Sequence, residues 1–190
     1  MNPEELLIEI SEILHNLEIP YIVTGGFAVS VWGMPRYTAD IDIVIELLER
    51  NIKPLVKKLL NIDKNVYADE DMIRQALKYH SSFNLIHPET GLRVDFFVRG
   101  RNSYDTLKIK RAVLRDVFGH KIYFTSPEDL IISKLLWAKE SESFKQYSDI
   151  KTILENDSLN LDMEYIKKWA EKQDTLEILE KLIKKTQKEK

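Results

Sequence analysis

The stretch TGGFAVSVWGMPRYTADID, residues 24–42, decides the fold. It follows a short apolar run, residues 21–23, that is typical of a buried strand. Two glycines open it, and the segment after them is compatible with a helix. It ends on Asp40 and Asp42, which have one apolar residue between them and lead into the apolar residues 43–45. The pattern therefore predicts a strand, a glycine turn, a helix and a second strand in immediate succession.

The two aspartates are expected to project from one face of the second strand, because side chains two positions apart in a strand point to the same side. Carboxylates this close resist joint ionisation unless a cation lies between them. Oxygen ligands on one face suit Mg²⁺, which completes its shell with water and substrate phosphates. Upstream, Gly25 and Gly26 open a helix whose N-terminal end favours an anion such as a triphosphate. Phosphoryl or nucleotidyl transfer requires this combination.

A glycine pair followed after thirteen residues by Asp-x-Asp resembles the signature of the nucleotidyltransferase-fold superfamily related to DNA polymerase beta. The resemblance implies a third carboxylate on a neighbouring strand. Asp95 is the single acid within the apolar run LRVDFFV, residues 92–98, and matches this position. The pattern RYTADID at 36–42, with SPEDL at 126–130, is similar to the AbiEii-like branch, several members of which are toxins of toxin–antitoxin pairs.

The resemblance also implies a role for each acid. Asp40 and Asp42 would hold the Mg²⁺ that binds the triphosphate, and Asp42 and Asp95 would hold a second Mg²⁺. The second ion would lower the pKa of the acceptor hydroxyl and orient it for in-line attack on the α-phosphorus. Asp95 is alternatively a general base. The plainer interpretation of all three residues is a set of surface acids at the edges of a sheet.

Four residues are expected to bind the nucleotide close to these acids. Gly25 and Gly26 form the phosphate turn, or else a tight turn needed only for packing. Many superfamily members have Gly-Ser here, so this chain lacks that hydroxyl. Arg36 and Thr38 lie just before the acids. Arg36 can bind phosphate through its planar guanidinium, or pair with the neighbouring aspartates to hold the loop.

Three further charged residues are candidates for the site. Lys134 has apolar neighbours three and four positions away on its helix, so its ammonium must reach the surface or meet an anion. A lysine in this helix of the AbiEii-like branch is thought to reach the nucleotide phosphates. Arg93 shares the face of Asp95 and either neutralises the acids when no metal is bound or is a surface arginine. Asp149 resembles a further acid of the branch, or else lies on a solvated helix face.

The order of predicted elements indicates an α/β (α+β) fold, a mixed nucleotidyltransferase-type β-sheet flanked by helices, with a helical C-terminal half. We expect residues 1–125 to form the catalytic core and residues 126–190 a helical region with a break near 156–160. Residues 109–117 and 121–125 are predicted to pair as a hairpin. Asp95 is expected on a strand beside the one that carries Asp40 and Asp42.

Composition limits the possible classes of protein. The chain has 190 residues, of which 44% are hydrophobic, and its formal net charge is −3, so charge alone does not indicate a nucleic-acid binder. It has no cysteine, which excludes disulfides, thiolate zinc sites and a cysteine nucleophile. No apolar run approaches the ~20 residues of a membrane span. Since the N-terminus lacks a signal-peptide pattern, we expect a soluble cytoplasmic protein.

Together these features predict a Mg²⁺-dependent enzyme that transfers a nucleoside monophosphate from an NTP, such as ATP, to an acceptor. The acceptor could be RNA, for example a tRNA 3′ end, a protein hydroxyl or a small molecule. The resemblance implies a toxin role with a cognate antitoxin as partner. One alternative is a non-catalytic binding module that acts through a protein partner. Another is an antibiotic-type nucleotidyltransferase.

Overall fold

The computed structural model describes residues 1–141 and 143–188. These residues form two compact units. The first unit comprises residues 1–27 and 37–125, and the second comprises residues 28–36 and the chain from residue 126 onward. In the described part of the chain, no helix combines the length and apolar character that crossing a membrane would need.

The first unit is built on one mixed sheet, which contains all six strands of the described residues. The strands are β1 (Tyr21–Thr24), β2 (Asp40–Ile45), β3 (Ser82–Ile86), β4 (Arg93–Val98), β5 (Val113–Val117) and β6 (His120–Phe124). Their order across the sheet is β3-β4-β2-β1-β6-β5. β2 runs parallel to β4 and antiparallel to β1, so the strand that carries Asp40 and Asp42 lies at the centre of the sheet.

The described residues of the two units also contain α-helices. They are α1 (Pro3–Asn16), α2 (Gly25–Trp32), α3 (Ile52–Leu59), α4 (Glu70–Tyr79), α5 (Ser103–Lys110), α6 (Pro127–Ser141), α7 (Phe144–Leu154), α8 (Met163–Lys172) and α9 (Leu176–Lys188). A short 3₁₀ turn, Glu49–Asn51, precedes α3. The α/β class and the mixed sheet flanked by helices, predicted from the sequence, are confirmed.

Local sequence explains where α1 begins and which side of it is buried. Pro3 occupies the first turn, and Asn2 and Glu5 form a reciprocal capping box in which each side chain accepts a backbone N–H of the other. One face of α1 is fully buried, and the helix packs against β2 and β6. In β2 and β4 the alternate positions Ile41, Ile43 and Phe96 are also fully buried. These apolar side chains form the core of the first unit.

The other face of β2 and β4 carries polar side chains that stay partly exposed. On β2, Asp40 is exposed and Asp42 is half-buried. On β4, Arg93 is exposed and Asp95 is half-buried. Because the strand period is two, burying the apolar set on the helix side leaves this polar set on the opposite side. The alternation in sequence therefore decides which face can hold a functional site.

The hairpin β5–β6 is confirmed, but the predicted start of its first strand is wrong. Residues 109–112 were expected to be extended, whereas α5 runs to Lys110 and β5 begins only at Val113. An apolar residue between lysines at 108–110 imitates the alternation of a strand. The helix is started instead by Asn102, whose side chain accepts the backbone N–H of Asp105 at 2.8 Å.

The described residues of the second unit include the last part of α2, residues 28–32, and helices α6 to α9. Ser126 caps α6: its hydroxyl accepts the backbone N–H of Asp129 at 3.1 Å and donates to the Asp129 carboxylate at 2.9 Å. The hydroxyl of Tyr165 on α8 donates to the other Asp129 oxygen. The expected break near 156–160 lies between α7 and α8. Residues 142, 189 and 190 of the predicted helical region lie outside the described residues.

Candidate active site

Three predicted acids lie on the open face of the central strands. Asp42 on β2 is directly opposite Asp95 on the parallel strand β4, which confirms that the two strands are neighbours. Asp40 is two residues before Asp42 and therefore on the same face. Neighbouring strands of a sheet lie roughly 4.8 Å apart, so residues in register across them are close together. Two strands that are distant in sequence thus bring three carboxylates to one patch of the sheet.

The glycine turn before α2 is shaped around one of these acids. Gly25 has φ +61°, in the left-handed region that favours glycine, and it is buried. A Cβ at Gly25 would collide with the Asp42 carboxylate and lie 2.6 Å from its Cγ. The start of α2 therefore lies against an anionic group, as the positive end of a helix favours. Asp42 and Gly25 form one arrangement that leaves no space for a side chain on the turn.

The second glycine approaches the segment that precedes β2. A Cβ at Gly26 would come within 2.7 Å of the Thr38 hydroxyl oxygen. That hydroxyl donates to the backbone carbonyl of Asp40 at 3.1 Å. Thr38 therefore connects the turn to the first residue of β2. The sequence proposed Thr38 as a nucleotide-binding residue, and its observed contacts position the strand that carries the acids.

Arg93 supplies a positive charge between two of the acids. Its Nη2 lies 2.8 Å from an Asp95 oxygen, and its Nε lies 3.5 Å from an Asp40 oxygen. Register explains this geometry, because Arg93 is opposite Asp40 across the strands and two residues before Asp95 on its own strand. The side chains of Arg93 and Asp40 are 45% and 54% exposed, and that of Asp95 is 17% exposed. The ion pairs are thus only partly shielded from water.

The donor atoms of the three acids are of the type that binds magnesium. As the side chains stand, the described residues contain no group of three His, Asp or Glu residues arranged to hold a metal ion. The donors are nevertheless all carboxylate oxygens on one accessible face, which is the ligand type that Mg²⁺ prefers. Two of these carboxylates, those of Asp40 and Asp95, already attract the guanidinium of Arg93. The residues therefore fit a divalent cation by donor type and charge.

The second unit contains a buried network of opposite charges. The Lys134 side chain is only 2% exposed, and its ammonium donates to Asp149 at 2.7 Å and to the side-chain oxygen of Gln146 at 3.0 Å. Of the two outcomes expected for Lys134, the meeting with an anion is confirmed. A buried ammonium needs such a partner, since an unpaired charge away from water is very costly.

Asp149 holds a second cation through both of its oxygens. Nε and Nη2 of Arg36 donate to the two carboxylate oxygens at 2.8 and 2.9 Å, in the bidentate geometry that favours arginine. Burial by itself raises the pKa of Asp149, but the hydrogen bonds and charges of Arg36 and Lys134 outweigh it. They hold the pKa of this carboxyl below its usual value, so it remains ionised although its side chain is 4% exposed.

Two alternatives raised by the sequence are corrected by these contacts. Asp149 does not lie on a solvated helix face, because it is buried between two cations. Arg36 forms its bidentate pair with Asp149, a partner that sequence reasoning did not consider. The predicted site residues fall into two sets. Gly25, Gly26, Thr38, Asp40, Asp42, Arg93 and Asp95 belong to the first unit, and Arg36, Lys134 and Asp149 belong to the second.

Two residues of these clusters were missed from the sequence. Asn84 on β3 is directly opposite Asp95, which places its exposed side chain beside the acids. Gln146 accepts a hydrogen bond from Lys134. The polar position of Asn84 within the alternating run SFNLI indicated that its side chain lies on the polar face of a strand. That it lies opposite Asp95 depends on the order of the strands, which the run does not specify. Gln146 lies three residues before Asp149 on α7, about one helical turn away, and its partner Lys134 comes from another helix.

We expect Asp149→Asn to destabilise the second unit by about 3–5 kcal/mol at pH 7, because it leaves Arg36 and Lys134 without their buried counter-charge. The carboxyl has a folded-state pKa below its ordinary value of 3.8. Its contribution is therefore complete above pH 3.8 and is lost as the pH falls through the folded pKa. The difference between wild type and variant should be constant from pH 8 to pH 5 and shrink below pH 3.8. Urea unfolding at several pH values measures it.

Asp174→Asn is the matched control, since Asp174 pairs with Lys139 in the same unit but its side chain is 94% exposed. It should change the free energy of unfolding little. A stability of Asp149→Asn equal to that of wild type at pH 7 would show that the network contributes nothing.

Gly25→Ala should destabilise the first unit more than Gly91→Ala does. Both glycines have a left-handed φ, +61° and +70°, so each alanine carries the same backbone strain of about 1–2 kcal/mol. A Cβ at Gly91 meets no atom within 4 Å, whereas at Gly25 it collides with Asp42. The excess should be about 1–3 kcal/mol in urea unfolding. It should fall when Asp42→Ala is combined with Gly25→Ala, and equal losses for the two glycines would contradict this packing.

Solved structures share this fold at low sequence identity. The antibiotic-resistance factor ANT(2'')-Ia matches with a TM-score of 0.60 at 14% identity, over 93% of this chain and 94% of that chain. The lincosamide antibiotic adenylyltransferase LnuA, solved with lincomycin bound, matches with a TM-score of 0.55 at 17% identity, over 80% and 97%. An antigenic nucleotidyltransferase-like protein from Paracoccidioides brasiliensis gives 0.53 at 21% identity, over 80% and 74%. Similarity at these identities shows the fold alone.

A search of the curated proteins found no match. A family model described as "Nucleotidyl transferase AbiEii toxin, Type IV TA system" matches residues 11–190. This range covers nearly all of the sequence, including the glycine turn and the three acids. The chain therefore belongs to the AbiEii nucleotidyltransferase family.

Proposed function

We propose that this protein is a Mg²⁺-dependent nucleotidyltransferase that moves a nucleoside monophosphate from an NTP to a hydroxyl acceptor and releases pyrophosphate. One observation carries the proposal: Asp42 is paired in register with Asp95, Asp40 shares their face, and the start of α2 lies against Asp42. Oxygen ligands suited to Mg²⁺ and the positive end of a helix both favour the binding of a triphosphate substrate.

The proposed role of each acid follows from its position on the strands. Asp40 and Asp42 would hold the Mg²⁺ that accompanies the triphosphate, and Asp42 and Asp95 would hold a second ion. When bound, the two ions would neutralise phosphate charge and lower the pKa of the acceptor hydroxyl. Asp95 would orient that hydroxyl towards the α-phosphorus, or take its proton as a general base. As the acceptor oxygen bonds to phosphorus, the bond to the pyrophosphate oxygen breaks.

Four further residues are proposed to bind the nucleotide. Gly25 and Gly26 are proposed to let the backbone approach a phosphate closely. They also let the turn pack against the segment that carries the acids, because a side chain at either position would strike Asp42 or Thr38. Arg36 and Lys134 already hold the carboxylate of Asp149 with short charged hydrogen bonds. The same donors are suited to phosphate oxygens, so nucleotide binding at these residues requires a phosphate to take the place of the Asp149 carboxylate beside the buried cations. In this assignment residues 1–125 are the catalytic core and residues 126–190 the helical region.

The acceptor is proposed by class: an RNA hydroxyl such as a tRNA 3′ end, a protein hydroxyl or a small molecule. The last class has specific support from two neighbours, because LnuA was solved with lincomycin and ANT(2'')-Ia with adenylyl-2''-tobramycin. The family description supports a further proposal, that the enzyme is the toxin of a toxin–antitoxin pair and that a cognate antitoxin restrains it.

Incubation with each α-³²P-labelled NTP, Mg²⁺ and a cell extract should label one class of acceptor. Asp42→Ala and Asp95→Asn should remain folded and lose labelling to background, because each removes a carboxylate shared by the proposed metal sites. Chelation of Mg²⁺ by EDTA should have the same effect. Separation of RNA, protein and small molecules identifies the labelled acceptor.

Asn61→Ala changes an exposed residue outside the sheet of the same unit and should label as wild type does. Full labelling by well-folded Asp42→Ala would refute the assignment. Calorimetry separates the binding-module alternative: Mg²⁺-dependent NTP binding without any labelled acceptor favours it, whereas binding with labelling supports the enzyme.

Induced expression in a bacterial host tests the toxin role. Wild type should stop growth, and Asp42→Ala at equal protein level should not, because toxicity is proposed to arise from transfer. Colony counts after induction measure the effect, and co-expression of the neighbouring reading frame should restore growth. Growth arrest by Asp42→Ala equal to that by wild type would separate toxicity from catalysis, and normal growth with active wild type would remove the toxin role.

A further inference from the structure

We propose that Arg93 is a built-in counter-cation that weakens the binding of free metal and makes metal binding depend on the nucleotide. Without substrate, its guanidinium would neutralise part of the negative charge on Asp40 and Asp95 that a divalent ion needs. With substrate, the phosphates would draw it away from the acids. The inference rests on the proposed metal role of Asp40, Asp42 and Asp95.

The contacts of Arg93 connect two strands and two acids. Nη2 lies 2.8 Å from Asp95, and Nε lies 3.5 Å from Asp40. An ion held by Asp40 or Asp95 must therefore share a carboxylate with the guanidinium or displace it. Both effects oppose the metal, because a positive charge about 4 Å away also repels it through space.

Exposure makes this cation exchangeable. The Arg93 side chain is 45% exposed, and partly exposed ion pairs contribute little to stability because water screens them. Lys134 provides the contrast, since its buried pair with Asp149 cannot open without leaving charges away from water. Arg93 can therefore leave its carboxylates at small cost, provided that another anion receives it.

A triphosphate is such an anion. Its oxygens accept the planar fork of arginine as a carboxylate does, so a bound nucleotide replaces the partners that Arg93 gives up. The acids are then available to the metal that accompanies the nucleotide. Linkage requires the effect to be mutual: if the nucleotide strengthens metal binding, the metal strengthens nucleotide binding by the same factor. Arg93 would couple the two ligands.

The test uses two probes separately on the purified full-length protein. Mn²⁺ alone is titrated and followed by electron paramagnetic resonance, and ATP alone is titrated in EDTA by calorimetry. Arg93→Gln should bind Mn²⁺ about tenfold more tightly than wild type, because a repelling charge is removed. It should bind ATP about tenfold more weakly, because a phosphate partner is removed. These opposite shifts are the signature, since a purely structural arginine would not move the two affinities in opposite directions.

Three controls define the result. Arg93→Lys keeps the charge and should resemble wild type in Mn²⁺ affinity. Arg50→Gln removes an equal charge from the exposed 3₁₀ turn of the same unit and should change neither affinity. Asp95→Asn combined with Arg93→Gln should abolish the tight Mn²⁺ binding, which shows that the ion is at the acids.

The outcomes separate this inference from the proposed function. If Arg93→Gln binds Mn²⁺ and ATP as wild type does, and Asp95→Asn abolishes Mn²⁺ binding, the counter-cation role is overturned while the metal site stands. If neither wild type nor Arg93→Gln binds Mn²⁺ and wild type labels no acceptor, both the counter-cation role and the proposed function are overturned. If wild type labels an acceptor yet Arg93→Gln binds Mn²⁺ more weakly, only the inference is overturned.

Discussion

The meeting of three carboxylates on one face of the central strands is the constraint on which the candidate site of the first unit depends. Parallel pairing of β2 with β4 puts Asp42 opposite Asp95. Asp40 is two residues before Asp42 and lies on the same face of β2. Like charges this close need a cation, and Arg93 provides one from the next register position. The face must also stay accessible, so the core is built on the other side of the sheet, where Ile41, Ile43 and Phe96 are fully buried.

In the second unit, one buried carboxylate lies between two cations, whereas in the first unit one cation lies between two carboxylates. Asp149 is a buried anion that holds two cations, Arg36 and Lys134, through short hydrogen bonds. Such a network is costly to form and more costly to break, because every group removed leaves a charge away from water. The ion pairs of Arg93 are partly exposed and therefore weak and exchangeable. Burial, more than residue type, separates an ionic network that is costly to open from one that exchanges its partners easily.

Local pattern was sufficient for most of the fold and for the three acids. The apolar–polar alternation of β2 and β4 located both strands, and the resemblance to the nucleotidyltransferase-fold superfamily placed Asp95 beside the Asp-x-Asp pair. The residues missed or misread are those whose partners come from elsewhere in the chain. Lysines around Ile109 imitated a strand, although the Asn102 cap begins a helix. Asn84 depends on the strand order, and Asp149 on partners at residues 36 and 134.

By itself, the sequence determined the family, the chemical type of the site and the face of each strand that is polar, because these follow from local spacing. The glycine turn, the spacing of the acids and the capped helix at residue 126 are encoded within short segments. Only the tertiary structure decided which charges meet: Arg93 with Asp40 and Asp95, and Asp149 with Arg36 and Lys134. The physical reason is that an ion pair depends on distance and burial, which strand register and helix packing set together and no local segment specifies.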